Sequence, residues 1–178
     1  MARQTATSQL LDNCLTDAEF PELPGFVRGK VRDAYKLPDR RRLLIATDRQ
    51  SAFDQVLAAV PYKGQVLTQT ARYWFDHTGD ICPNHVISYP DPNVVLCKDL
   101  DMVPIEIVVR AYLTGSTNTS AWTMYERGER VIYGHQLPDG MKKNQKLSKT
   151  IITPTTKPAD GGHDAPITEA EILESQLV

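Results

Sequence analysis

From the N-terminus, Leu10, Leu11, Cys14 and Leu15 fall at helical spacing and predict a short docking helix, which Pro21-Glu22-Leu23-Pro24-Gly25 then breaks. Over residues 26–48 the period changes to two. Val27, Val31 and Tyr35 alternate with polar positions, Pro38-Asp39 signals a turn, and Leu43-Leu44-Ile45-Ala46 follows, which predicts an antiparallel hairpin. Residues 65–77 carry Val66, Leu67, Thr70, Ala71, Trp74 and Phe75 on one stripe ending before Gly79, so an amphipathic helix is expected, with the aromatic pair in the core. Val86-Ile87-Ser88-Tyr89, Val94-Val95-Leu96-Cys97 and Ile105-Glu106-Ile107-Val108-Val109 read as three more strands. Residues 119–127 suggest a short helix, Val131-Ile132-Tyr133 a strand, and residues 138–149 a polar surface excursion. Thr168-Glu169-Ala170-Glu171 has capping-box spacing and opens a last helix with Ile172 and Leu173 as its apolar positions. Strands with irregularly interspersed helices favour an α+β fold with a mainly antiparallel sheet.

Composition narrows the class. The 178 residues are 41% hydrophobic and 24% charged, which fits one compact domain or a close pair and excludes a disordered tail. With 20 Lys+Arg against 22 Asp+Glu the net charge is -2, so the basic excess of a nucleic-acid binder is missing. Arg40-Arg41-Arg42 after Pro38-Asp39 reads as a solvated hairpin turn. Cys14, Cys82 and Cys97 are odd in number and widely spaced, as reduced thiols are. No apolar run approaches the ~18 residues of a membrane span, and the start lacks the apolar core of a secretory signal. A cytoplasmic protein is expected.

Four segments carry candidate chemistry. Gly29-Lys30-Val31-Arg32-Asp33 sets two cations beside a flexible glycine, which suits a polyphosphate and equally an exposed strand. Thr47-Asp48-Arg49-Gln50-Ser51-Ala52-Phe53-Asp54 packs two carboxylates, an arginine and a hydroxyl behind an apolar strand, as a ligand loop or a self-bonded Asx turn would. Arg110 closes an apolar run and Tyr112-Leu113-Thr114-Gly115-Ser116 follows, a set suited to a phosphate monoester; the competing reading is an ion pair with Glu106. Thr153-Pro154-Thr155-Thr156-Lys157-Pro158 and Gly161-Gly162-His163-Asp164 form a Pro- and Gly-rich loop holding a lysine, an imidazole and a carboxylate.

Taken together and in order, these segments, with Asp101-Met102-Val103-Pro104, resemble the SAICAR synthetase family of de novo purine biosynthesis. The resemblance implies an ATP-dependent ligase that joins L-aspartate to carboxyaminoimidazole ribonucleotide (CAIR), giving SAICAR, ADP and phosphate, with ATP and magnesium as cofactors. It also implies an antiparallel lobe similar to the ATP-binding lobe of protein kinases over residues 26–104 and a second α+β lobe from residue 105; residues 1–25, which precede the matching motifs, are read from their helical spacing as an N-terminal helical extension. By position, Gly29, Lys30, Val31 and Arg32 would lie over the ATP phosphates, and Lys98 and Met102 would border the adenine. Arg110, Gly115 and Ser116 would hold the ribonucleotide phosphate. Asp48, Ser51 and Asp54 would line the nucleotide or ribose side, and Lys157, His163 and Asp164 the place where imidazole carboxylate meets aspartate. Lys30, Lys157 and Asp164 would be catalytic.

The family's later acidic motifs have no counterpart before Val178, so the sequence resembles its front portion and leaves the magnesium ligands unassigned. The alternative is a nucleotide-binding piece that needs the missing part for turnover. A small-molecule kinase is disfavoured, because His-Arg-Asp and Asp-Phe-Gly motifs are lacking. The partners implied are small molecules, with neither nucleic acid nor membrane; a homo-oligomer is compatible with the sequence.

Overall fold

A computed structural model describes residues 10–52, 55–157 and 164–175. The chain divides into two units, Met1–Asp101 and Met102–Val178.

The first unit is built on an antiparallel sheet of β1 (Phe26–Arg28), β2 (Arg32–Leu37), β3 (Arg41–Ala46), β6 (Val86–Asp91) and β7 (Val94–Lys98), in the order β1-β2-β3-β7-β6. Strands β4 (Arg49–Ala52) and β5 (Gln55–Ala59) form a separate antiparallel pair, and α1 (Lys63–His77) lies against β3. Period-two alternation gives the sheet two distinct faces. Tyr35, Leu37, Leu43, Ile45 and Val94 pack on one side with Ala18, Leu15 and Leu23. Ala34, Arg42, Leu44, Ala46 and Val95 look into a cavity on the other, shared with α1.

The first strand reading needs revision, because Gly29, Lys30 and Val31 form a turn that splits the expected first arm into β1 and β2. The N-terminal helix likewise ends earlier than predicted. Helical backbone among the described residues stops at Leu11, and residues 14–20 run without regular structure across the sheet. Their backbone is satisfied by buried side chains: Tyr35 Oη donates to the Ala18 carbonyl at 2.7 Å, and Asp33 accepts the Ala18 amide at 3.2 Å. Helix α1 forms as its stripe predicts, but Trp74 is 59% exposed; the aromatic pair is not core, and Phe75 meets His85 edge-on instead.

The second unit centres on a long antiparallel ladder of β8 (Ile105–Leu113) and β11 (Gln145–Thr156), bulged between Lys146 and Ile151. Its core is Leu113, Ala121, Tyr125, Ile132, Tyr133, Leu137, Leu147 and Ile151. Helix α2 (Ala121–Glu126) and the hairpin of β9 (Val131–Ile132) with β10 (His135–Gln136) supply its other walls. Helix α3 (Glu169–Glu174) opens with the expected capping box, the Thr168 amide donating to Glu171 at 2.8 Å and the Glu171 amide to Thr168 Oγ1 at 3.2 Å. Ile172 is buried, whereas Leu173 is exposed.

Two stretches read as loop are strand. Residues 145–149 and 153–156 belong to β11, where β-branched Thr and Ile suit a pleated ladder. Pro154 fits there because β11 has only one long neighbour, so the missing N–H interrupts no second ladder.

Candidate functional site

In the first unit the turn between β1 and β2 is tight: the Gly29 amide donates to the Arg32 carbonyl at 2.9 Å, and a Cβ on Gly29 would lie 2.5 Å from that oxygen. Its three carbonyls are all held. Arg49 donates to those of Gly29 (3.0 Å) and Lys30 (3.2 Å), and Thr47 donates twice to that of Val31, from its amide (3.1 Å) and its hydroxyl (2.8 Å). Arg49 is itself clamped by buried Asp33 through bonds of 2.6 and 3.1 Å, and also donates to the Thr16 carbonyl at 2.6 Å. The Gly-Lys-Val-Arg-Asp and Thr-Asp-Arg segments are therefore one device, in which Asp33 and Arg49 shape the turn that displays Lys30 and Arg32.

That turn borders a cavity of about 570 Å³. Among the described residues Lys30, Arg32 and Arg42 line it and no carboxylate does, while Leu44, Leu67, Ala71, Phe75 and Val95 supply apolar walls. Arg42 revises the solvated-turn reading. Arg40 and Arg41 pair at the surface with Asp101 and Asp39, but Arg42 sits on β3, faces the cavity and is held by Asp99 at 2.7 Å. His85 also lines the cavity. Partial burial, with Arg32 nearby, holds its imidazole below the usual range, so it stays neutral at pH 7. Lys98 is exposed at the end of β7 and does not line the cavity; Met102, which opens the second unit, is 84% exposed.

Asp48 is buried, and its two oxygens accept the amides of Leu15 and Gly64, each at 2.9 Å. In this chain it ties the N-terminal segment to α1. Ser51 is half-buried on β4, and Asp54 lies outside the described residues.

In the second unit, pairing Glu106 with Thr155, Val108 with Thr153 and Arg110 with Ile151 puts Arg110, Thr153, Thr155 and Glu106 on one face of the ladder. Arg110 donates from Nε to Thr153 Oγ1 at 3.0 Å, while its two Nη groups have no protein hydrogen bond among the described residues. Beyond β8 the chain turns at Gly115, whose φ of 118° and approach to Ser120 leave no room for a Cβ; Ser116 is exposed beside it. The competing Glu106–Arg110 ion pair is not made. Glu106 instead binds Lys157 at 2.8 Å, and Asp164 binds the same ammonium at 2.8 Å. The two carboxylates raise the Lys157 pKa well above the ordinary lysine value. His163 lies outside the described residues. No group of three or more His, Cys, Asp or Glu side chains converges among the described residues. No helix among them is long and apolar enough to cross a membrane.

Arg49, Asp33, Thr153 and Arg42 are positions whose importance the sequence reading did not single out. The signal for Arg49 and Asp33 is an acid near the start of β2 and a base at the start of β4, 16 residues apart in sequence; it becomes visible only once the folded chain brings the two side chains into contact.

A cationic, acid-free cavity in one unit and a strand face ending in a forked guanidinium in the other define an α+β protein with two anion-suited sites. Residues 25–178 match the SAICAR synthetase family, and the chain belongs to it. A relative in Agrobacterium fabrum is 63% identical over 164 residues, covering 92% of this chain and 52% of its own. The phosphoribosylaminoimidazole-succinocarboxamide synthase of Legionella pneumophila is 53% identical over 160 residues, covering 90% and 50%. The SAICAR synthase of Saccharomyces cerevisiae, solved with SAICAR, superposes with a TM-score of 0.77 at 29% identity, over 90% of this chain and 58% of that one. The α+β, mostly antiparallel fold is that of the family. The chain spans about half the length of these relatives.

Proposed function

We propose that the protein serves the ATP-dependent ligation of L-aspartate to CAIR, giving SAICAR, ADP and phosphate. One observation carries the reading: one face of the β8–β11 ladder runs from the forked Arg110 to the Glu106–Lys157–Asp164 group. Four residues of strand set these ends roughly 13 Å apart, on the scale of an extended ribonucleotide. Arg110, with Gly115 and Ser116, takes the 5′-phosphate. The far end receives the imidazole carboxylate and the aspartate.

A carboxylate does not acylate an amine at neutral pH. Its oxygen therefore attacks the γ-phosphorus of ATP, the bond to the bridging oxygen breaks and ADP leaves; the aspartate amine then attacks the acyl carbon and expels phosphate. Lys30 and Arg32 hold the nucleotide's phosphates, and the apolar walls of the first-unit cavity take its less polar part. Lys157, held protonated, acts as a fixed cation and not as a base. Asp164 is the acceptor for the proton that the amine gives up.

The test is a coupled assay with ATP, magnesium, L-aspartate and CAIR that follows ADP and SAICAR together. ADP and SAICAR are expected one for one and only with aspartate. ADP release independent of aspartate overturns the ligase reading, and absence of turnover overturns the claim that this chain performs the reaction by itself.

A further inference from the structure

Arg110 is aimed by a hydroxyl. Thr153 is 1% exposed and stands opposite Val108 in the ladder. Its Oγ1 donates to the Val108 carbonyl at 3.2 Å and accepts from Arg110 Nε at 3.0 Å. A hydroxyl has one proton and a guanidinium has no acceptor, so the direction of both bonds is fixed. Nε–H is thereby spent on the strand. The planar guanidinium is locked about that bond, and its two Nη groups, without a protein hydrogen bond among the described residues, form an open fork.

We propose that Thr153 is the positioning residue that presents Arg110 for bidentate capture of the ribonucleotide's phosphate monoester. The inference rests on the reading of Arg110 as a phosphate ligand. Valine has nearly the shape of threonine but no acceptor, so Nε–H would be left to compete for the phosphate and the side chain would be free to turn. Serine keeps the acceptor.

The experiment titrates SAICAR and ATP separately into wild type, Thr153→Val, Thr153→Ser and Arg110→Ala by calorimetry. Thr153→Val should weaken SAICAR about tenfold and Thr153→Ser by less than about twofold, with ATP affinity unchanged in both. A second readout needs no folded Thr153 variant: the Arg110 Nε–H resonance of the wild type, assigned by its loss in Arg110→Ala, should exchange with water more slowly than those of exposed arginines. If Arg110→Ala weakens SAICAR while folded Thr153→Val does not, or if the Nε–H exchanges freely, the positioning role is overturned. If Arg110→Ala binds SAICAR as wild type does, the phosphate-ligand reading itself fails.

Discussion

Arg49 leaves water only because every direction of its guanidinium is answered, by Asp33 on one edge and by the carbonyls of Thr16, Gly29 and Lys30 on the others. Removing one member leaves an uncompensated buried charge. Asp33→Ala should therefore cost about 3–5 kcal/mol in urea unfolding and loosen the turn that carries Lys30 and Arg32. A cost below about 1 kcal/mol would mean that the pair does not organise the turn. His85 supplies a pH dependence with a defined sign. Its folded-state pKa is depressed, so the unfolded chain binds the proton more readily, and stability falls as pH drops through the ordinary histidine value until the folded pKa is passed. Thermal unfolding between about pH 7.5 and 5.5 should show a smaller loss for His85→Gln than for wild type. Equal losses would remove His85 as the source.

At the scale of elements, patterning alone located α1, β3, β6, β7, β8 and the capping box of α3, because each has a strong period or a local hydrogen-bond signature. It missed β4, β5 and most of β11. Thr153-Pro154-Thr155-Thr156 looks like a loop by composition, and only the nonlocal pairing with residues 105–108 makes it a strand. It also put Trp74 in a core that α1 does not bury it in, since periodicity marks a stripe without naming what covers it. The candidate residues followed the same division. Lys30, Arg32 and Arg110 were legible as cations next to glycine or at a strand end, whereas Arg49 and Thr153, which help to aim them, come from distant parts of the chain. Gly64 illustrates an element-level constraint: a Cβ there would sit 2.2 Å from the Ala46 carbonyl oxygen, where α1 crosses the end of β3. Gly64→Ala should cost about 1–3 kcal/mol through backbone displacement, read as a lower midpoint of chemical unfolding. An unchanged midpoint would mean that the helix can slide away freely.

For the molecule as a whole, the proposed function gives each unit one kind of anion to bind with groups from its own segments. The first offers three cations and no carboxylate around an apolar cavity, and the second a strand face with a guanidinium fork at one end and a doubly paired lysine at the other. Under the proposed function, nucleotide binding and ribonucleotide binding are separable properties of one chain. Calorimetric titration of ATP and of SAICAR into wild type, Lys30→Ala/Arg32→Ala and Arg110→Ala tests this most directly. The predicted result is selective loss: the double variant loses ATP and keeps SAICAR, and Arg110→Ala loses SAICAR and keeps ATP. Undiminished SAICAR binding by Arg110→Ala, or undiminished ATP binding by the double variant, would contradict the account.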